Sequence, residues 1–261
     1  MAGTPAVAKV LAVANQKGGV GKTTTVSCLG AAYAELGRRV LLVDLDPQAC
    51  LTFSLGLEPQ ELEATTYQVL LGKADPRDAV QHSPDGMHLV PAGIELAGCE
   101  AVMAPLPDRE TRLRDALTGL AADYDQIIVD CPPTLGLLTL NGLVAADELL
   151  VPVQAELLAF RGVDQLLDTV EYEVQARHNP GLRVLGVLPT QYDPRTRHAR
   201  QVVAAISETY RLPVLSPAIP RSVRFAEAPA AGRTVLATAR RSKGAEAYRE
   251  LARRMIDNPP G

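Results

Sequence analysis

Short uninterrupted apolar runs recur along the chain, several of them ending at a glycine-rich turn or an acid. The first is Lys9-Val10-Leu11-Ala12-Val13-Ala14, whose length predicts a strand buried on both faces. A helical pattern runs from Thr23 to Leu36 and stops at Gly37. Val40–Val43, Met87–Pro91, Ile127–Val129, Glu148–Val153 and Arg183–Pro189 repeat the strand pattern. Helices are expected over Glu95–Ala104, Asp108–Ala122, Arg161–Ala176 and Ala245–Ile256. Strands alternating with helices of about 10–15 residues predict an α/β fold, a mostly parallel twisted sheet with helices on both faces. No repeat, low-complexity tract or long linker interrupts the pattern, so we expect one domain over 9–257, with short tails at 1–8 and 258–261.

In such sheets ligands bind beyond the carboxyl ends of the strands, and three motifs fall there. Lys17-Gly18-Gly19-Val20-Gly21-Lys22-Thr23-Thr24 follows a strand and opens a helix, the context of a phosphate-binding loop. Glycines let backbone N–H groups converge on phosphate oxygens, and the helix terminus adds positive charge. Lys22 would reach the β- and γ-phosphates of ATP, and Thr23 would offer its hydroxyl to Mg²⁺. The strict G-x-x-x-x-G-K-[ST] pattern is broken, because Gln16 occupies the position of its first glycine.

Asp130 ends an apolar strand, as a residue holding a metal's water ligands must. Asp44 and Asp46 end another, and strand alternation would turn both carboxylates toward the loop. Taken alone, Asp46-Pro47 also reads as a helix cap and first helical residue.

The run Asn15–Thr24, with its lysine at the start of the loop, resembles the ParA/Soj branch of the deviant Walker A P-loop ATPases. The resemblance continues through Val43-Asp44-Leu45-Asp46-Pro47-Gln48, Asp123-Tyr124-Asp125, Ile128–Pro133, Leu137–Asn141, Ile219–Arg224 with Glu227-Ala228-Pro229, and Lys243–Glu246. It spans about Lys9 to Ile256, with 58–85 divergent. Ala49-Cys50-Leu51-Thr52 stands where the family usually has Gly-Asn-Ala-Thr, and Ser222 where asparagine is common. The first eight residues add no helix-turn-helix, so the chain is similar to the compact chromosomal type.

The resemblance implies an ATPase that pairs two subunits around two ATP molecules, with Lys17 crossing to the partner's nucleotide. It assigns Asp46 to the attacking water, Asp44 and Asp130 to the Mg²⁺ surroundings, and Pro220 with Arg221 to the neighbourhood of the adenine. It further implies non-specific binding of double-stranded DNA through Arg195 and Arg224, and a ParB-like protein that stimulates hydrolysis. The implied setting is the cytoplasm, on the nucleoid, in partitioning or positioning of a cargo.

Charge sharpens one of these expectations. The chain carries −4 overall. Residues 1–160 hold 10 Lys+Arg against 20 Asp+Glu, whereas 161–261 hold 16 against 10. A basic C-terminal third suggests a local anion-binding face. Arg197, Arg200, Arg221, Arg240 and Arg241 would widen it. With no Trp and 4% aromatic residues, phosphate contacts on a duplex fit better than base stacking on single strands.

Two other readings are weaker. A membrane-cycling ATPase similar to MinD needs a C-terminal amphipathic segment with bulky apolar residues, and Leu251–Gly261 has no Phe or Trp and ends in Pro-Pro-Gly. An electron carrier similar to the nitrogenase iron protein would need cluster ligands. Cys131 follows Asp130 without that context and reads as a small buried hydrophobe. The scattered Cys28, Cys50, Cys99 and Cys131 read as reduced cytoplasmic thiols. Met1–Ala8 lacks the pattern of a signal peptide.

Overall fold

The computed structural model describes residues 8–156 and 159–257. In chain order the elements are β1 (Lys9–Val13), α1 (Lys22–Glu35), β2 (Val40–Asp44), α2 (Cys50–Ser54), α3 (Thr66–Leu70), β3 (Gln81–His82), β4 (His88–Val90), α4 (Cys99–Met103) and α5 (Arg112–Thr118). They continue with β5 (Gln126–Asp130), α6 (Leu137–Ala145), β6 (Glu148–Gln154), α7 (Ala159–Asp168), β7 (Arg183–Thr190), α8 (Arg197–Tyr210), α9 (Arg224–Glu227), α10 (Val235–Thr238) and α11 (Lys243–Asp257).

One seven-stranded sheet has the order β3-β4-β2-β5-β1-β6-β7, parallel except for the antiparallel β3–β4 edge. The central strands are buried on both faces because alternate residues feed two separate cores. Val10 and Ala12 of β1 join the core that holds Leu113, Leu143 and Val163, from α5, α6 and α7. Leu11 and Val13 join the one that holds Leu29 and Leu251, from α1 and α11. Tyr248 is 1% exposed and pairs its hydroxyl with Thr25 Oγ1 at 3.0 Å. The apolar side of α11 (Ala245, Tyr248, Leu251, Ala252) is therefore spent inside the domain. Among the described residues no helix is long and apolar enough to cross a membrane.

The strand expectations hold, with β4 shortened to three residues, and β3 is an addition too short and polar to announce itself. The helix expected over Glu95–Ala104 splits into a 3₁₀ turn, Ile94–Gly98, and the single turn of α4; the one over Asp108–Ala122 shrinks to α5. The long helix begins at Ala159 and widens to π geometry over Thr169–Gln175, keeping Val170 and Val174 buried. Ala8, expected in the tail, is buried and donates its N–H to Ala121 O at 3.0 Å, so it belongs to the domain. The remaining tail residues, 1–7 and 258–261, lie outside the described residues.

Candidate nucleotide site at the carboxyl edge of the sheet

β1 lies between β5 and β6, so the chain leaves it where the strand order turns around. Val13 is in register with Asp130, and Asp130 with Asp44, which sets the ends of β1, β5 and β2 side by side. The loop after β1 is anchored by the neighbouring strand ends. Asn15 Nδ2 donates to Pro152 O at 2.8 Å, and Asn15 Oδ1 accepts the Lys17 N–H at 3.0 Å. The Thr190 hydroxyl donates to Val20 O at 2.7 Å, and Gln191 Nε2 to Gly19 O at 2.8 Å. Thr190 and Gln191 were missed by sequence reasoning, because a single strand-end hydroxyl and amide carry no local signal.

Gly19 (φ 74°) and Gly21 (φ 86°) adopt left-handed geometry that side chains disfavour. Gly21 delivers the chain into α1, whose N-terminus has no side-chain cap. Its N–H groups and dipole are thus available to an anion.

Beneath the loop lie charges that need one another. Asp130 is 0% exposed, and neither carboxylate oxygen has a hydrogen-bond partner. Burial, then the charge of adjacent Asp44, push its pKa well above the usual range; Thr23 and Lys22 pull against them. The Thr23 hydroxyl stands near enough to exert that pull without making a hydrogen bond of ordinary geometry. Lys22 is buried too, so its pKa is lowered by desolvation, with Asp130, Asp46 and Cys131 opposing. Its Nζ reaches Lys17 O at 3.4 Å. An orphaned buried carboxylate beside a threonine hydroxyl and a half-satisfied lysine fits a hydrated divalent cation carried in with phosphates. Among the described residues no three His, Cys, Asp or Glu side chains converge as a metal cage.

The two acids of the Asp-x-Asp motif separate in role. Asp44 faces inward, its Oδ1 accepting the Asp46 N–H at 3.0 Å and its Oδ2 accepting the Thr52 N–H at 2.9 Å and hydroxyl at 2.8 Å. Burial pushes it up to about 6 despite those donors. Asp46 lines the open cavity, and its Oδ1 accepts the Gln48 N–H at 2.9 Å. That contact closes a turn. The helix cap read from Asp46-Pro47 is not formed, since α2 starts only at Cys50 after Ala49.

Gly18, Gly19, Lys22, Thr23, Thr24 and Asp46 line a cavity of about 560 Å³. A second cavity, of about 400 Å³, adjoins it at Gly21, Thr24 and Gln191 and is walled by Pro220, Arg221 and Ser222. The phosphate loop and the expected adenine residues thus form one continuous cleft. Lys17 points elsewhere, its Nζ 2.5 Å from Glu156 Oε2.

Tyr192 bridges to Pro220, with its N–H on Ile219 O at 2.9 Å. The segments carrying Arg195 and Arg224 therefore leave the cleft next to each other. Arg195 is 92% exposed and only loosely paired with Asp193 at 3.4 Å; Arg224 pairs with Glu227 at 2.8 Å. Arg197, Arg200 and Arg221 are exposed as well. Cys99 and Cys131 are fully buried, and burial pushes the Cys99 thiol up to about 11 and that of Cys131 higher still.

Comparison with known proteins agrees with this geometry. Residues 8–184 match a family described as AAA domain. The chain is 45% identical to the sporulation initiation inhibitor protein Soj of Bacillus subtilis, covering 96% of this chain and 99% of that one. It is 48% identical to the chromosome-partitioning ATPase Soj of Thermus thermophilus, covering 94% of each. Among solved structures, a Mycobacterium smegmatis protein named cobyrinic acid a,c-diamide synthase, with bound ADP and magnesium, superposes with a TM-score of 0.86 at 51% identity over 96% of both chains. With a phosphate loop, a buried strand-end acid and full-length likeness to Soj proteins in hand, the chain belongs to the ParA/Soj family of partitioning ATPases.

Proposed function

We propose that this ATPase is a nucleotide-gated switch that dimerises around ATP and Mg²⁺, holds the nucleoid through non-specific DNA contacts, and is released when a ParB-like partner stimulates hydrolysis. The observation that carries the reading is the shared framework of the two surfaces. Gln191 and Pro220 wall the nucleotide cleft, while Tyr192 and Ile219, their immediate neighbours, join the segments that carry Arg195 and Arg224. A nucleotide pressing on that wall acts on the spacing of the arginines.

In this reading Lys22 and the N-terminus of α1 bind the phosphates, and Thr23 and Asp130 hold the hydrated cation. When bound, Mg²⁺ offsets charge on the β- and γ-phosphates. Asp46 orients the attacking water from the cavity wall, and Pro220 and Arg221 border the base. Asp44 stays in the second rank, holding Asp46. Lys17 leaves Glu156 to reach the nucleotide of a second copy.

The name of the Mycobacterium relative suggests another use of ATP, formation of a diamide from cobyrinic acid. Here the one exposed cysteine, Cys50, has its thiol pushed up by burial and by Asp46, Asp44 and Asp130, the reverse of an activated nucleophile for taking nitrogen from an amide donor. Phosphate release in the presence of DNA and no other acceptor separates the two uses. Release that needs a carboxylate and ammonia would favour amide formation. Release enhanced by duplex DNA favours the switch.

A further inference from the structure

We infer that Thr52 is a positioning residue for hydrolysis, acting through Asp44 to fix Asp46 at the cavity wall. The inference rests on the reading of Asp46 as the residue that orients water. Thr52 is 0% exposed and sits in the middle of α2, between the end of β2 and the segment after β4. Its hydroxyl donates to Asp44 Oδ2 at 2.8 Å and accepts the Ala92 N–H at 2.9 Å, while its own N–H also donates to Asp44 Oδ2 at 2.9 Å. Two donors on one oxygen fix the plane of the Asp44 carboxylate. The other oxygen is thereby aimed at the Asp46 N–H, 3.0 Å away.

Asp46 is then held at three points. Its N–H is on Asp44, its Oδ1 takes the Gln48 N–H at 2.9 Å, and its carbonyl takes the Ala49 N–H at 2.8 Å. Removing the Thr52 hydroxyl unlocks the Asp44 plane and frees the Ala92 N–H, so the whole turn carrying Asp46 loses its reference to β4. Lys22 bonds to the loop carbonyl of Lys17 and not to this junction, so nucleotide affinity should survive while turnover does not.

The test measures equilibrium ATP binding, phosphate release and thermal melting for Thr52→Val, Thr52→Ser and Asp46→Ala. A displaced water-orienting group costs roughly 10- to 100-fold in turnover. We expect Thr52→Val to lose that much kcat with ATP affinity changed by no more than about twofold. Thr52→Ser, which keeps the hydroxyl, should recover most of the rate. Thr52→Ala serves in place of the valine variant if the latter does not fold. Full turnover without the hydroxyl overturns the inference, as does a serine variant as impaired as the valine one, or a parallel loss of ATP affinity. Full turnover by Asp46→Ala would instead remove the reading beneath it, whatever the Thr52 variants do.

Discussion

Lys17 Nζ lies 2.5 Å from Glu156 Oε2, so the lysine that begins the phosphate loop is folded back onto its own chain. Its backbone is held as well, through Asn15, and Gly162 of α7 packs against the same pair closely enough that a Cβ there would sit 2.9 Å from Asn15 Oδ1. The pair is half-exposed, and such pairs are worth about 0.2–1 kcal/mol. It restrains the lysine without trapping it. We expect Glu156→Gln to lower the protein concentration needed for an ATP-dependent dimer severalfold, and Lys17→Ala to abolish that dimer. Light scattering with ATP and Mg²⁺ decides both; a wild-type mass indifferent to nucleotide would count against the ATP-dependent dimer.

Lys22→Ala and Asp46→Ala separate binding from chemistry. Lys22 is buried among Asp130, Asp46 and Cys131, so its removal leaves that cluster without the lysine charge that opposes it. We expect ATP affinity to fall by at least about tenfold, since a charge-assisted contact is worth about 1.5–3 kcal/mol. Asp46→Ala should bind ATP normally and release no phosphate above background. Filter binding and a coupled phosphate assay on the two variants give the answer.

Ala49 tests a departure visible in the sequence. It stands where the family usually has glycine, and it adopts φ 51°, the left-handed region. A Cβ there costs about 1–2 kcal/mol, partly offset by the lower chain entropy of alanine. Ala49→Gly should stabilise the fold by about 1 kcal/mol, raising the melting temperature by roughly 2–4 °C for a chain of this size. A melting curve unchanged or lowered would mean that the turn accommodates alanine freely.

Much of the architecture was legible because its signals are local. Strand cores of alternating partners, the glycine turn and the strand-end acids each declare themselves within a few residues. Six helices did not: the single-turn α2, α3, α9 and α10, and the longer α6 and α8. α6 is apolar almost throughout, so it has no period to read, and Leu138, Leu143 and Val144 are buried together with Thr139 and Asn141. α8 buries Ala199, Val202, Val203 and Ile206, a regular helical spacing that was available but overshadowed by its arginines. In the site, the phosphate loop and Asp130 were readable, whereas the inward turn of Asp44 was not. That turn depends on Thr52 eight residues away, itself held by Ala92 just beyond the neighbouring strand β4, contacts that only the folded chain brings together.

The sheet edge carries a pH dependence. His82 and His88 face each other across β3 and β4 with ring centroids 4.4 Å apart, and His88 Nδ1 shares a 2.7 Å hydrogen bond with Tyr124 Oη. Burial first, and then His82, hold the His88 pKa below the ordinary imidazole value. Above about pH 6.5 the ring is neutral folded and unfolded, and contributes nothing to pH dependence. As pH falls below that value the unfolded chain takes up the proton first, so stability declines until the folded-state pKa is passed. Urea unfolding between pH 5 and 8 should show this decline, and His88→Gln should flatten it.

The last expectation concerns DNA. An acidic chain repels a polyanion overall, and one copy offers a single set of exposed arginines beside the cleft. Arg195 is nearly free of its own chain, and Arg224 is tied only to exposed Glu227. Two copies would double these contacts on one face. Each neutralised phosphate contributes about 0.9 to the slope of log affinity against log salt. Replacing Arg195 and Arg224 by Glu in a dimer removes up to four contacts and should lower that slope by roughly 3–4. Binding should appear with ATP, be absent with ADP, and show little preference among unrelated duplexes. ATP affinity of the double variant should be unchanged, because neither arginine lines the phosphate part of the cleft. Biolayer interferometry across a salt series, in three nucleotide states, measures all of these. Equal binding in every state would detach DNA from the switch, and none by an ATP-trapped Asp46→Ala dimer would transfer the arginines to a different anionic partner.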